Sequence, residues 1–195
     1  MTNSFIVTLY SRPESVFTVD TISQIFPDIS QKGLLDRLYY FAKVGKLQRL
    51  RKGIYAKNDY NTFELANKVY TPSYISLETV LAQEGVIFQH YTKIFLVSYV
   101  TRTITINETV IQYRQLRDDI VTNTSGIEKM IGYYRATKER AFLDAVFAYK
   151  NYHFDNLGIL DWEMINMLKE VYKSKALTRR VEEYYSLYKK DYGKA

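Results

Sequence analysis

The chain contains no cysteine, which excludes disulfides, thiolate metal sites and cysteine nucleophiles and fits a reducing compartment. Histidine is nearly as scarce: His90 and His153 have no second histidine within a helical turn with which to share a metal. Eight glycines leave little material for phosphate-cradling loops, and no Gly-x-Gly-x-x-Gly, Walker or Gly-x-Ser-x-Gly sequence occurs. Asp-x-Lys and Glu-x-Lys are also missing, which removes the nuclease pattern in which an acid two residues before a lysine holds a metal. Glu139 and Asp144 are five apart on an expected helix, so they diverge by about 140° and do not form a catalytic pair. No catalytic residue, metal or cofactor is read from the chain. Glu78, Glu139, Arg140 and Asp144 are expected to be structural, as helix-end or interdomain ion pairs.

Long apolar runs are absent as well. With no 18-residue hydrophobic stretch and no signal-peptide pattern, the expectation is a soluble cytoplasmic protein. At 195 residues, 47% apolar and 25% charged, the composition is that of a globular chain with room for one large or two small domains.

What is present is a concentration of positive charge. Residues 30–57 carry eight Lys/Arg against one acid, Asp36, a net +7, although the whole chain is only +6. A local excess of this kind points to a polyanionic partner. Within it, Gly45-Lys-Leu-Gln-Arg-Leu-Arg-Lys-Gly-Ile-Tyr-Ala56 reads as a hairpin with strands at 47–50 and 54–56 and cations at its tip. Gly53 supplies the positive φ that such a tip needs.

The preceding segment, residues 30–44, places Leu34, Leu35, Leu38, Phe41 and Ala42 on one helical stripe, with Ser30 as N-cap and Gly45 just past the C-terminus. Two shorter helices are expected at 4–10 and 20–26, the second capped by Asp20 or Thr21. Three helices and a hairpin in this order read as a winged helix-turn-helix, whose third helix enters the major groove. Gln31, Lys32, Arg37 and Tyr40 are the expected groove contacts, and Lys46, Arg49, Arg51 and Lys52 the expected backbone or minor-groove contacts. Of the 19 tyrosines, only Tyr40 and Tyr55 are singled out, because they fall inside this module; the others read as half-buried packing residues.

The expected domains are 1–60, the DNA-binding module, and 61–195, a mixed domain with an antiparallel sheet and a helical C-terminal part, giving an α+β chain. No proline- or serine-rich linker separates the two. Helices are predicted at 62–70 and 76–84, with the hydroxyls of Ser73 and Ser76 available as caps. Strands follow at 93–100, 102–107 and 110–116, forming a meander, and 126–134 reads as a further strand or a helix entry. Helices at 137–149, 161–173 and 177–189 complete the chain, and Trp162 reads as a core anchor. The tail from Met164 carries eight cations against four acids, which either extend a DNA footprint or form a solvated face.

Thr71-Pro-Ser-Tyr-Ile-Ser-Leu-Glu-Thr-Val-Leu-Ala-Gln-Glu-Gly-Val-Ile87 resembles the second-domain signature of AbiEi-type antitoxins, and Arg135-Ala-Thr-Lys-Glu-Arg-Ala-Phe-Leu-Asp-Ala145 resembles that family's later Ala-Thr-x-Glu block. The ordered set covers about residues 10–150. Gln83-Glu84-Gly85 departs from the Tyr/His-Gly of many members, so no role of that histidine transfers, and residues beyond 151 match nothing in the family pattern. The resemblance implies the antitoxin of a type IV toxin–antitoxin pair. Such a protein represses its own operon through inverted repeats in double-stranded DNA and counteracts a nucleotidyltransferase-like toxin without needing a stable complex with it. Two other readings stay open: a winged-helix regulator without antitoxin activity, and a protein-interaction module whose basic helix docks an acidic partner.

Overall fold

A computed structural model of the chain describes residues 2–193, with side chains from residue 4 onward. The fold is α+β and holds two sheets. Helix α1 (Thr2–Ser11), strand β1 (Val16–Thr18), helices α2 (Val19–Ile25) and α3 (Gln31–Lys43), and strands β2 (Gln48–Arg51) and β3 (Ile54–Ala56) make up the N-terminal part. The three strands are antiparallel in the order β1-β3-β2. Strand β1 goes beyond the sequence expectation, since three residues are too few to show an alternation. The cap of α2 also differs: Thr18, not Asp20 or Thr21, accepts from the Thr21 amide, at 3.1 Å.

The second part contains α4 (Thr62–Val69), β4 (Ser73–Ile75), α5 (Leu77–Gln83), β5 (Ile94–Ser98), β6 (Arg102–Ile106), β7 (Thr109–Gln115) and α6 (Asp118–Val121). It continues with β8 (Ile127–Lys129), β9 (Tyr134–Ala136), α7 (Lys138–Ala148), α8 (Trp162–Leu168) and α9 (Lys175–Tyr192), with 3-10 turns at Leu157–Ile159 and Lys169–Tyr172. Six strands form one sheet in the order β6-β7-β5-β4-β9-β8. The expected antiparallel meander is therefore corrected to a mixed sheet: β5 and β7 run parallel, as do β4 and β9. All five residues of β5 are buried, which suits a strand with neighbours on both sides and both faces covered. Consequently β6 moves to the edge, where it pairs only with β7.

Ser73 and Ser76 act differently from the expected caps. Ser73 lies in β4 and its hydroxyl donates to the Asn67 carbonyl at 3.2 Å. Ser76 occupies the N-cap position of α5, yet its hydroxyl donates to Asp144 Oδ2 at 2.7 Å instead of capping. Asp144 is fully buried beside Arg140, one turn earlier on α7, with Nε and Oδ1 3.5 Å apart. Tyr74 and Tyr172 also donate to Asp144, at 3.2 and 2.6 Å, while Arg140 donates to the carbonyls of Ile120 and Ser125 at 2.8 Å each. The ion pair is fully buried and lies inside the second part, not between domains.

Two apolar clusters divide the chain unequally. Phe5, Leu9, Phe17, Ile22, Leu34, Leu38, Phe41, Leu47 and Tyr55 fill the core of the N-terminal part. Val16, Ile54 and Ala56 belong instead to the large core that runs through both sheets to Leu177 and Val181 of α9. At the junction, buried Glu64 accepts from the Ser15 amide and hydroxyl at 2.8 and 2.7 Å, and Lys68 bridges Glu64 and the Val16 carbonyl. Gly132, at φ +81°, packs against the Glu64 side chain where a Cβ would come within 2.4 Å, so this contact requires glycine.

Removing one member of a buried ion pair strands the other without a partner. Asp144→Ala should therefore lower unfolding stability by about 3–5 kcal/mol in urea. A loss below about 1 kcal/mol would show that Arg140 and the two tyrosines do not depend on the carboxylate.

Candidate nucleic-acid interface

Helix α3 is positioned by its buried stripe and its ends. Leu34, Leu38 and Phe41 face the core. The Ser30 hydroxyl accepts from the Gly33 amide at 3.3 Å, and Gly45, at φ +70°, turns the chain toward β2. That turn is pinned from two sides: the Tyr10 hydroxyl donates to the Lys46 carbonyl at 2.8 Å, and Asn58 Nδ2 donates to the Gly45 carbonyl at 3.0 Å. At the hairpin tip Gly53 adopts φ +77°, and a bulge between Arg49 and Arg51 offsets the register against β3.

The outward face of α3 consists of Lys32, Asp36, Tyr39, Tyr40 and Lys43, all exposed. Of the four expected groove residues, Lys32 and Tyr40 lie on this face, and Gln31 is exposed at the first turn. Arg37 sits at the flank, half-buried, with its guanidinium 5.8 Å from the Phe5 ring centroid. Tyr39, 64% exposed, stands between the expected contacts and was not singled out in the sequence, although the helical period places it there. Tyr55 is corrected: it is only 4% exposed and belongs to the core of the N-terminal part, so it faces no partner.

Lys46, Arg49, Arg51 and Lys52 are all exposed along the hairpin. Among the described residues, no carboxylate lies within salt-bridge distance of these four, nor of Lys32, Arg37 or Lys43. The surface thus carries charge that the fold leaves uncompensated. Arg51 alone leans toward the second part, its guanidinium 5.7 Å from the Tyr70 ring centroid.

The tail cations behave differently. Arg180 donates to the carbonyls of Val146 and Tyr149, Arg179 pairs with Glu183 at 3.6 Å, and Lys189 lies 4.4 Å from the Tyr185 ring centroid. Leu177 and Val181 are buried in α9, and Tyr184, Tyr185 and Tyr188 pack on the main core. Removing the tail would therefore open the core itself.

Away from α3 and the hairpin, a cleft of about 620 Å³ is lined by Glu78, Phe63, Phe88, His90, Tyr91 and Lys93, among others. Glu78 is 7% exposed and its Oε2 has no hydrogen-bond partner. Burial pushes its carboxyl above the usual range, against smaller opposing pulls from its own backbone amide, the Tyr149 phenol and Arg114. Glu139 is used elsewhere, accepting from the Asp161 amide at 3.2 Å. His90 and His153 are exposed, and among the described residues no three His, Asp or Glu side chains gather as metal ligands. Trp162 is buried against Phe142, Tyr185 and Tyr188, in agreement with an anchoring role.

No protein-family model matches the chain, and no curated protein matches it. Among the described residues, no helix is long and apolar enough to cross a membrane.

The raised carboxyl of Glu78 gives a pH-dependent outcome. An unfolded glutamate ionises near ~4.3, whereas folded Glu78 holds its proton to higher pH, so its contribution to stability is lost as pH rises through that window. Glu78→Gln carries no such proton. Its stability relative to the parent should rise as pH increases above the ordinary glutamate range in urea titrations; a constant difference would contradict the assignment.

Proposed function

We propose that the chain binds double-stranded DNA through a winged helix-turn-helix formed by α1–α3 and the β2–β3 hairpin, represses its own promoter, and serves as the antitoxin of a type IV pair. The observation that carries the DNA reading is the row of exposed cations, Lys32 and Lys43 on α3 and Lys46, Arg49, Arg51 and Lys52 on the hairpin, with no carboxylate partner among the described residues. Uncompensated cations on a helix and an adjoining hairpin suit a duplex, because each releases counterions when it meets a phosphate. Lys32, Tyr39 and Tyr40 then face base edges in the major groove, and Arg49 and Lys52 hold the backbone.

The antitoxin part rests on the two motif blocks that resemble AbiEi-type antitoxins. Their residues meet in the buried network: Tyr74 and Ser76 come from the first block, Arg140 and Asp144 from the second. The resemblance is therefore to a folding core, and it supports kinship of the second domain more directly than it supports activity. Counteraction of a nucleotidyltransferase-like toxin is the function that such kinship implies, and co-expression with a toxin of that class tests that part.

For the DNA part, fluorescence anisotropy with the chain's own upstream duplex across a salt series is decisive. Arg49→Ala and Lys52→Ala should each weaken binding to all sequences and lower the salt slope by about 0.9, whereas Lys32→Ala should reduce the preference for the cognate duplex. Failure of the parent chain to bind any duplex at low salt would overturn the reading in favour of a protein-interaction surface.

A further inference from the structure

The hairpin does not end in open solvent on the side of the second part. Leu50 packs against the main core, and Arg51 lies over Tyr70, the residue that follows α4. From the opposite side Arg102, the first residue of edge strand β6, reaches the same phenol, with Nη1 3.4 Å from its hydroxyl oxygen. The Asn107 amide, at the far end of β6, donates to the Tyr60 hydroxyl at 3.0 Å, so the connection after β3 is tied along this edge. Tyr70 itself is braced edge-on by Tyr99 and Tyr113.

Two guanidinium groups thus flank one tyrosine, Arg102 at its hydroxyl and Arg51 over its ring. Both arginines are exposed, and among the described residues neither has a carboxylate within salt-bridge distance. Like charges brought together without an acid repel, and an anion between them removes that cost. Guanidinium forks match the geometry of phosphate oxygens, and a phenol adds one hydrogen bond at low entropic cost.

We propose that Arg51, Tyr70 and Arg102 form a seat for one backbone phosphate of DNA, so that the bound duplex continues past the hairpin onto the edge of the six-stranded sheet. This inference rests on the DNA reading above and adds to it a contact from the second part of the chain. It also gives the edge strand β6 a role: Arg102, exposed at its first position, presents its guanidinium toward the continuing duplex. Because the seat reads phosphate and no base, its effect is independent of sequence.

The test uses the full chain, fluorescence anisotropy and a salt series with a cognate and a scrambled duplex. Arg102→Ala should weaken binding to both duplexes roughly tenfold and lower the salt slope by about 0.9, and Tyr70→Phe should weaken both by a smaller factor. Arg179→Ala, an exposed arginine paired with Glu183 on α9, serves as the control for loss of one positive charge and should leave both quantities unchanged. If the parent binds DNA and Arg102→Ala matches it or matches Arg179→Ala, the phosphate seat is wrong while the DNA reading stands. If the parent binds neither duplex, the DNA reading fails first.

Discussion

Arg140 and Asp144 carry opposite charges with no exposed surface, and that burial constrains everything around them. Taking two charges out of water is costly unless their remaining hydrogen-bonding capacity is satisfied. Here much of that capacity is met within the second part, although Arg140 Nε has no hydrogen-bond partner. Ser76 arrives from the β4–α5 corner, Tyr74 from β4 and Tyr172 from the turn before α9, while the carbonyls of Ile120 and Ser125 come from α6 and the loop after it. Five residues from three separated stretches, 74–76, 120–125 and 172, are thus held to one turn of α7. The first residue of α5, Leu77, takes φ +53°, a conformation costly for a branched side chain, directly after the serine committed to Asp144.

The N-terminal part is carried on this frame through a second buried carboxylate. Glu64 on α4 receives both the amide and the hydroxyl of Ser15, and Lys68 ties α4 to β1. With Val16, Ile54 and Ala56 in the main core, the three-stranded sheet is seated on the second part by apolar contact as well as by hydrogen bonds. The hairpin that presents Arg49, Arg51 and Lys52 is therefore supported from beneath, which limits the conformational entropy lost on meeting a phosphate backbone.

Local signals in the sequence were enough for the features built from short-range geometry. The Ser30 cap, the glycines at 45 and 53, and the stripe of Leu34, Leu38 and Phe41, though not Leu35, which is exposed, each act within a few residues, so α3 and the hairpin were legible. Features that depend on distant partners were not. β1 is three residues long and owes its existence to pairing with β3 across 35 intervening residues. The parallel pairing of β5 with β7 requires β6 to move outward, and nothing in the periodicity of any one strand encodes that choice. The hydroxyl of Ser76 looks like a helix cap until the long-range acceptor Asp144 is in place. Within the candidate interface, the charge was legible by counting and the positions of Arg37 and Tyr39 by the helical period, but the burial of Tyr55 was fixed only by packing.

The central claim is that one face of the N-terminal part, α3 with the β2–β3 hairpin, meets duplex DNA. Amide chemical-shift mapping by NMR, with the chain's own upstream duplex added to saturation, tests it most directly. The account predicts perturbations concentrated in residues 30–57, strongest at Lys32, Tyr39 and Tyr40 and from Arg49 to Gly53. Perturbations concentrated in the cleft around Glu78 and Tyr91, or none at all on addition of duplex, would contradict it.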